Sequence, residues 1–243
     1  MMKRIFLFLL PGLLLTIACG DSTSTETGTT ETNVTAPAPE PAPDPAAMWE
    51  APLEPATIAE PGTPASPPAD AVTMAINTEA SQIYWQGAKV AYMHYGTIQV
   101  AEGSLFAQDG QLAGGTIAID MNSIVNLDLD DPKKNADLVG HLQSPDFFDV
   151  ANHPTATLEI TSVTPVKGST YSISGNLTIK GITHQITFPA EISMGSNGLQ
   201  AQARFSIDRA KWDVRFNSGS FFENLGDNLI KDEIGLVLDI QAS

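Results

Sequence analysis

The chain has 243 residues, 28 of them acidic and 12 basic, for a net charge of −16 at neutral pH. With no basic cluster, that balance excludes nucleic acid as a partner and electrostatic docking on anionic lipid. A single cysteine, Cys19, excludes an internal disulfide.

In chain order, Lys3 and Arg4 come first, then a mostly apolar run from Ile5 to Ala18, then Cys19. A short basic region followed by such a run is a secretory signal pattern, too short for a bilayer span of roughly 20 residues. Residues 1–18 are therefore read as a signal peptide. Leu15-Thr16-Ile17-Ala18-Cys19 resembles a bacterial lipobox, with Thr16 where an aliphatic residue is usual. On that reading Cys19 is lipidated and several acyl chains hold the exported protein in the cell envelope, facing periplasm or exterior. The plainer reading is a secreted protein with a chance cysteine.

Residues 20–70 hold 11 of the chain's 17 prolines, nine acidic residues and no Lys or Arg. A segment so poor in apolar side chains cannot offset its ordering entropy. Residues 19–71 are expected to be a disordered, partly polyproline-II tether. Met48 and Trp49 are its one bulky interruption.

From residue 72 to 243 the texture becomes that of one folded domain. Apolar and polar residues alternate, the mark of half-buried strands. "TIAIDM" puts Ile117, Ile119 and Met121 on one face, and "ATLEIT" does the same with Leu158 and Ile160. "YSISGNLTI", "HQITF", "LQAQARFSI" and "EIGLVLDI" continue the pattern, with Phe188 and Phe205 among the inward positions. Asp109-Gly110, Lys167-Gly168, Lys180-Gly181 and Asn197-Gly198 are hairpin turns between them. The fold class is all-β, a barrel or sandwich of about eight strands. One segment departs from the pattern. Asp131 as N-cap and Pro132 at the first helical position open a helix of about ten residues, with Leu138, Val139 and Leu142 on its apolar face. Ser144-Pro145 then starts a turn carrying Phe147 and Phe148, which cover one end of the barrel either as a plug or as the wall of a cavity.

No catalytic constellation is present: no Gly-x-Ser-x-Gly elbow, phosphate loop or dinucleotide fingerprint. "NLDLDDPKKNAD" fails as a calcium loop, because Asp131 stands where the sharp turn needs glycine. His94, His141 and His153 show no metal-ligand spacing, and His141 and His153 are read as backbone partners around the turn. Asp208, Arg209, Asp213 and Arg215 read as an exposed ion-paired cluster, which contributes little.

Seven ordered motifs then carry a resemblance. "SQIYWQGAKV", "GTIQVAEGSL", "IAIDMNSI", "HLQSPDFFDVANHPTATLEITSV", "SGNLTIKGITHQITFPAEI", "FSIDRAKWDV" and "DEIGLVLDIQA" resemble the YceI-like family over the whole domain. That resemblance implies an extended, lipocalin-like antiparallel barrel. Its apolar cavity would hold a polyisoprenoid, an isoprenoid quinone or a similar long amphiphile. It implies binding rather than catalysis, no cofactor beyond such a lipid, export to the periplasm, and allows a dimer. The expected cavity residues are Phe147, Phe148, Leu142, Ile117, Ile119, Leu158, Ile160, Phe188 and Phe205. His141, Asp146 and Asn152 are expected at its mouth as head-group partners. The competing reading is a non-catalytic scaffold or accessory lipoprotein whose barrel is filled by its own side chains.

Overall fold

Each alternating segment has one apolar face to bury and a turn that reverses the chain, so the segments become strands of one sheet. The computed structural model describes residues 46–196 and 198–243; the leader, Cys19, the tether as far as residue 45, and Asn197 lie outside the described residues. In chain order the strands are β1 (Glu54–Pro55), β2 (Thr57–Ala59), β3 (Val72–Ala75), β4 (Gln82–Lys89), β5 (Met93–Gln108) and β6 (Gln111–Asn126). The helix α1 (Pro132–Gln143) follows, then β7 (Thr155–Lys167), β8 (Thr170–Ile179), β9 (Ile182–Gly195), β10 (Gly198–Asp208) and β11 (Ile230–Ala242).

Strands β4 to β11 pair in sequence order, each antiparallel to the last, and β11 returns to pair with β4. This closes an eight-stranded up-and-down barrel, which leaves no free edge among those strands. β3 continues the position of β4 towards one end, pairing with Ser104–Ala107 of β5. Two of the expected turns have positive φ at both central residues, Asp109 and Gly110 at 53° and 75°, and Lys180 and Gly181 at 50° and 72°. That is the type I′ geometry whose twist matches the flanking strands.

The end bearing the short hairpins 109–110 and 168–169 is the base. The opposite end, the mouth, carries α1 and the long β10–β11 connection. Asp131 Oδ1 accepts from the N–H groups of Lys133 and Lys134 at 2.9 and 3.1 Å, so the predicted cap forms. No α1 side chain is fully buried. The helix is a lid whose Leu142 packs on the core rather than a core element.

The expectation of an unstructured tether through residue 71 is corrected from residue 46 onwards. β1 pairs in parallel with β10, and β2 pairs antiparallel with β9. Arg204 donates to the carbonyls of Met48, Ala51 and Pro52, and Trp49 is buried. The composition argument fails there because the entropy is offset by partners on the barrel, not by apolar residues within the segment.

The apolar cavity and its mouth

The inward faces of the strands do not meet at the mouth half of the barrel. They leave a cavity of about 150 Å³, and a second of about 40 Å³ lies nearer the base. β4 contributes Ile83, Trp85 and Gly87, alternate residues on the inner face, and β6 contributes Ile119, Met121 and Ile124. Ala156 and Leu158 of β7, Leu177 and Ile179 of β8, Ile186 of β9, and Phe205 and Ile207 of β10 complete the sides with Leu236 and Leu238 of β11. The buried charged side chain among the lining residues is Arg209; Gln86 turns its Oε1 to the outer face beside Gly235, and Lys231 is exposed. Leu158 and Leu238 line both cavities. Phe205 of the upper cavity and Phe188 of the lower stack at 4.2 Å between ring centroids, 17° apart, and divide the interior.

The turn after α1 is built by its polar residues. Ser144 Oγ donates to the His141 carbonyl at 2.7 Å, and the Ser144 carbonyl accepts from Phe147 and Asp149 N–H at 3.0 and 2.9 Å. Asp149 turns the chain with φ 47°. The outcome is that Phe147 and Phe148 both reach the cavity. Phe147 is 8% exposed and packs on His141 (centroids 4.9 Å) and Phe216 (5.3 Å), beneath the Arg209 guanidinium. Phe148 is half-buried against the core. Phe147→Ala should therefore lower stability by about 3 kcal/mol. Phe148→Ala should cost less than half of that and show instead in faster ligand release. Thermal unfolding and dissociation kinetics of the two variants check this; the opposite ranking would reject the assignment.

Of the expected cavity residues, Phe147, Phe148, Leu142, Ile119, Leu158 and Phe205 line the larger cavity. Ile117, Ile160 and Phe188, again with Leu158, line the smaller one. The three expected head-group partners are not among the cavity-lining residues and are engaged with one another or with the turn. His141 Nε2 pairs with Asp146 Oδ2 at 3.2 Å, and its ring packs between Phe147 and Phe216. Asn152 Nδ2 donates to Asp149, on the exposed side of the turn. His94 is likewise committed elsewhere, to Asp128 at 2.7 Å. Burial raises the Asp128 pKa, but hydrogen bonds from Tyr95 N–H, His94 and Asn126 outweigh it and hold the carboxyl below its ordinary value.

The charged group at the cavity is one that sequence reasoning placed on the surface. Arg209 is 2% exposed. Its Nε donates to Lys231 O, its Nη1 to Val214 O, and its Nη2 to the carbonyls of Phe216 and Ile230, at 2.7 to 3.1 Å. Asp232 Oδ1 stands 3.4 Å from Nη2 as the counter-charge. Burial pushes the guanidinium pKa down while Asp232 and Asp208 push it up, and an arginine so placed stays charged. Arg209 thus ties the 213–231 connection to the end of β10. Next to it Trp212, fully buried, donates Nε1–H to the Leu177 carbonyl at 3.0 Å. Of these two, Arg209 lines the cavity.

A model of the YceI-like domain matches residues 74–242, most of the chain. The chain belongs to the YceI-like family. A UPF0312 protein of Azotobacter vinelandii is 30% identical over 96 residues, 40% of this chain and 47% of that protein, so the match spans about half of that relative. A UPF0312 protein of Yersinia pestis is 26% identical over 148 residues, 61% of this chain and 72% of the relative. Among solved structures, BcnA of Burkholderia cenocepacia has a TM-score of 0.57 at 20% identity, covering 69% of this chain and 99% of its own. A polyisoprenoid binding domain from Saccharophagus degradans has 0.50 at 16%, covering 70% and 98%. At those identities the two structures bear on the fold alone, the closed barrel.

Proposed function

We propose that this protein binds the hydrocarbon chain of a polyisoprenoid, an isoprenoid quinone or a similar amphiphile inside the barrel, and that it transports, stores or sequesters it. The observation that carries this reading is the cavity: a wall of carbon with one buried charged side chain, Arg209, among its lining residues. Family membership and the polyisoprenoid-binding neighbour support it. Apolar area withdrawn from water contributes about 25 cal/mol per Å², so a buried chain needs no charged partner. At about 150 Å³ the cavity is smaller than the ~300–1,000 Å³ of drug-sized sites. As it stands it takes a slender chain segment, and a longer chain displaces Phe148. The small volume also favours the second reading, a barrel filled by its own side chains. Lipid extracted from protein purified out of its native membrane and weighed by mass spectrometry decides between them. A folded protein that carries no lipid and binds no isoprenoid or quinone rejects the first.

Cys19, after the apolar run, supports membrane anchorage in the cell envelope as part of this reading. Cys19→Ser should move the protein to the soluble fraction. Identical fractionation of wild type and variant would reject the anchor.

A further inference from the structure

The strand registers divide the barrel into two bores. At the base β9 pairs directly with β10, from Gly195 opposite Gly198 to Ala190 opposite Ala203. Beyond that point, at Phe188 and Phe205, the two strands part and the chain from Glu54 to Ala59 runs between them. Glu54 and Pro55 pair with Phe205 and Ser206, and Thr57 to Ala59 pair with Thr187 to Gln185. Ala56 N–H donates to the Ser206 carbonyl at 2.8 Å in the middle of this insertion. Eight strands therefore close the base and nine close the mouth half. A ninth strand adds ~4.8 Å to the circumference, or ~1.5 Å to the diameter. The cavities differ in the same sense: about 40 Å³ where β9 and β10 touch, and about 150 Å³ beside the parted stretch, which contributes Ile186, Phe205 and Ile207 to the wall while the segment stands behind them.

The segment is held by more than its strand pairs. The chain flanking it is tied down on both sides: Arg204 on β10 donates to the carbonyls of Met48, Ala51 and Pro52, just before it. Asn176 and Gly62 exchange hydrogen bonds at 2.7 and 2.9 Å, which accounts for the burial of an outward-facing asparagine on β8. All of these segment residues lie outside the 74–242 that match the family domain.

We propose that residues 54–59 determine ligand specificity by setting the bore of the cavity. With the segment in place the mouth half admits a methyl-branched chain. With it gone β9 and β10 close on each other and the site narrows to a straight chain. The ligand class rests on the binding reading above; the bore itself does not.

The experiment uses the full chain with Arg204→Ala, Asn176→Ala and Ala56→Pro combined, which removes the holding hydrogen bonds. Hydrogen exchange at Thr57 and Thr187 reports release of the segment. Xenon uptake followed by NMR reports the dry cavity independently of any lipid. Affinities for geranylgeraniol and hexadecanol, which share a main-chain length and differ in the methyl branches and double bonds, report specificity, with the saturated branched alcohol phytanol as the control for the double bonds. One misfitted methyl group in an apolar pocket is worth roughly 10–200-fold. The variant should therefore lose at least ~10-fold for geranylgeraniol, change little for hexadecanol, and take up less xenon. Should the triple variant fail to fold, Arg204→Ala alone loosens the segment and the same readouts apply. A released segment with wild-type xenon uptake and wild-type preference overturns the proposal, as does equal weakening for both alcohols. If wild type takes up xenon but neither alcohol, the binding reading fails and xenon uptake by the variant alone decides the bore. Wild type without xenon uptake overturns both.

Discussion

Gly87→Phe is expected to weaken isoprenoid binding by about two orders of magnitude while leaving the fold as stable as before or more so. Gly87 lies on the inner face of β4 among the cavity-lining residues, opposite Ile234 at the mouth. A Cβ built there meets no atom within 4 Å, and the backbone carries no positive φ. A cavity of ~150 Å³ is the size that accepts one benzene ring in an engineered core, so the phenyl group occupies the space the ligand needs. Filling it removes apolar surface from water, about 1.5–3 kcal/mol for a fully buried side chain. Replacing a strand glycine contributes a further ~0.5–1 kcal/mol. Affinity should fall by about two orders of magnitude, since a chain occupying this bore must now displace the ring. Gly87→Ala serves as the control that leaves the bore open. Thermal unfolding and titration with a quinone read the two effects separately. A Gly87→Phe protein that binds as wild type does would show that the ligand site is not this cavity.

The barrel was legible because its strands have two unlike faces. Alternation in "TIAIDM" or "LQAQARFSI" follows from burying one face, and Ile117, Ile119, Phe205 and Ile207 point inward as expected. Asp131-Pro132 and Lys180-Gly181 were legible because cap and turn chemistry is local. The inserted segment was not. Its apolar side chains are few and separated by prolines, and its order comes from the fork between β9 and β10, which no local pattern records. The partners of the expected head-group residues were hidden for a related reason. His141 and Asp146 lie five residues apart and satisfy each other. Phe216, which packs on both His141 and Phe147, comes from a connection distant in sequence. Arg209 stood among charged neighbours in "IDRAKWDVR" and so read as a surface pair, although Asp213 pairs with Arg215 and leaves Arg209 to the interior. Nothing in that string shows that the following twenty or so residues fold their carbonyls around it.

Arg209→Met should be the most destabilising of the substitutions considered. The methionine roughly fills the volume but donates nothing. Four carbonyls, those of Val214, Phe216, Ile230 and Lys231, lose their donor at once, and Asp232 loses its counter-charge. Removing one partner of a buried, hydrogen-bonded charge pair costs about 3–5 kcal/mol, because the charge left behind is uncompensated. For a chain of this size that lowers the melting temperature by roughly 6–20 °C. The loss should be concentrated at the mouth: hydrogen exchange should accelerate across residues 213–231 while the β5–β6 and β7–β8 ladders at the base keep their protection. Ligand affinity should fall with it, since Phe147 loses the Arg209 guanidinium and, through Phe216, the support of the same loop. Arg209→Lys should recover only part, because a single ammonium cannot reach carbonyls arranged around a planar fork. A methionine variant within ~1 kcal/mol of wild type would mean that the connection is held by Trp212 on the Leu177 carbonyl alone, and that Arg209 is in the wall for another reason.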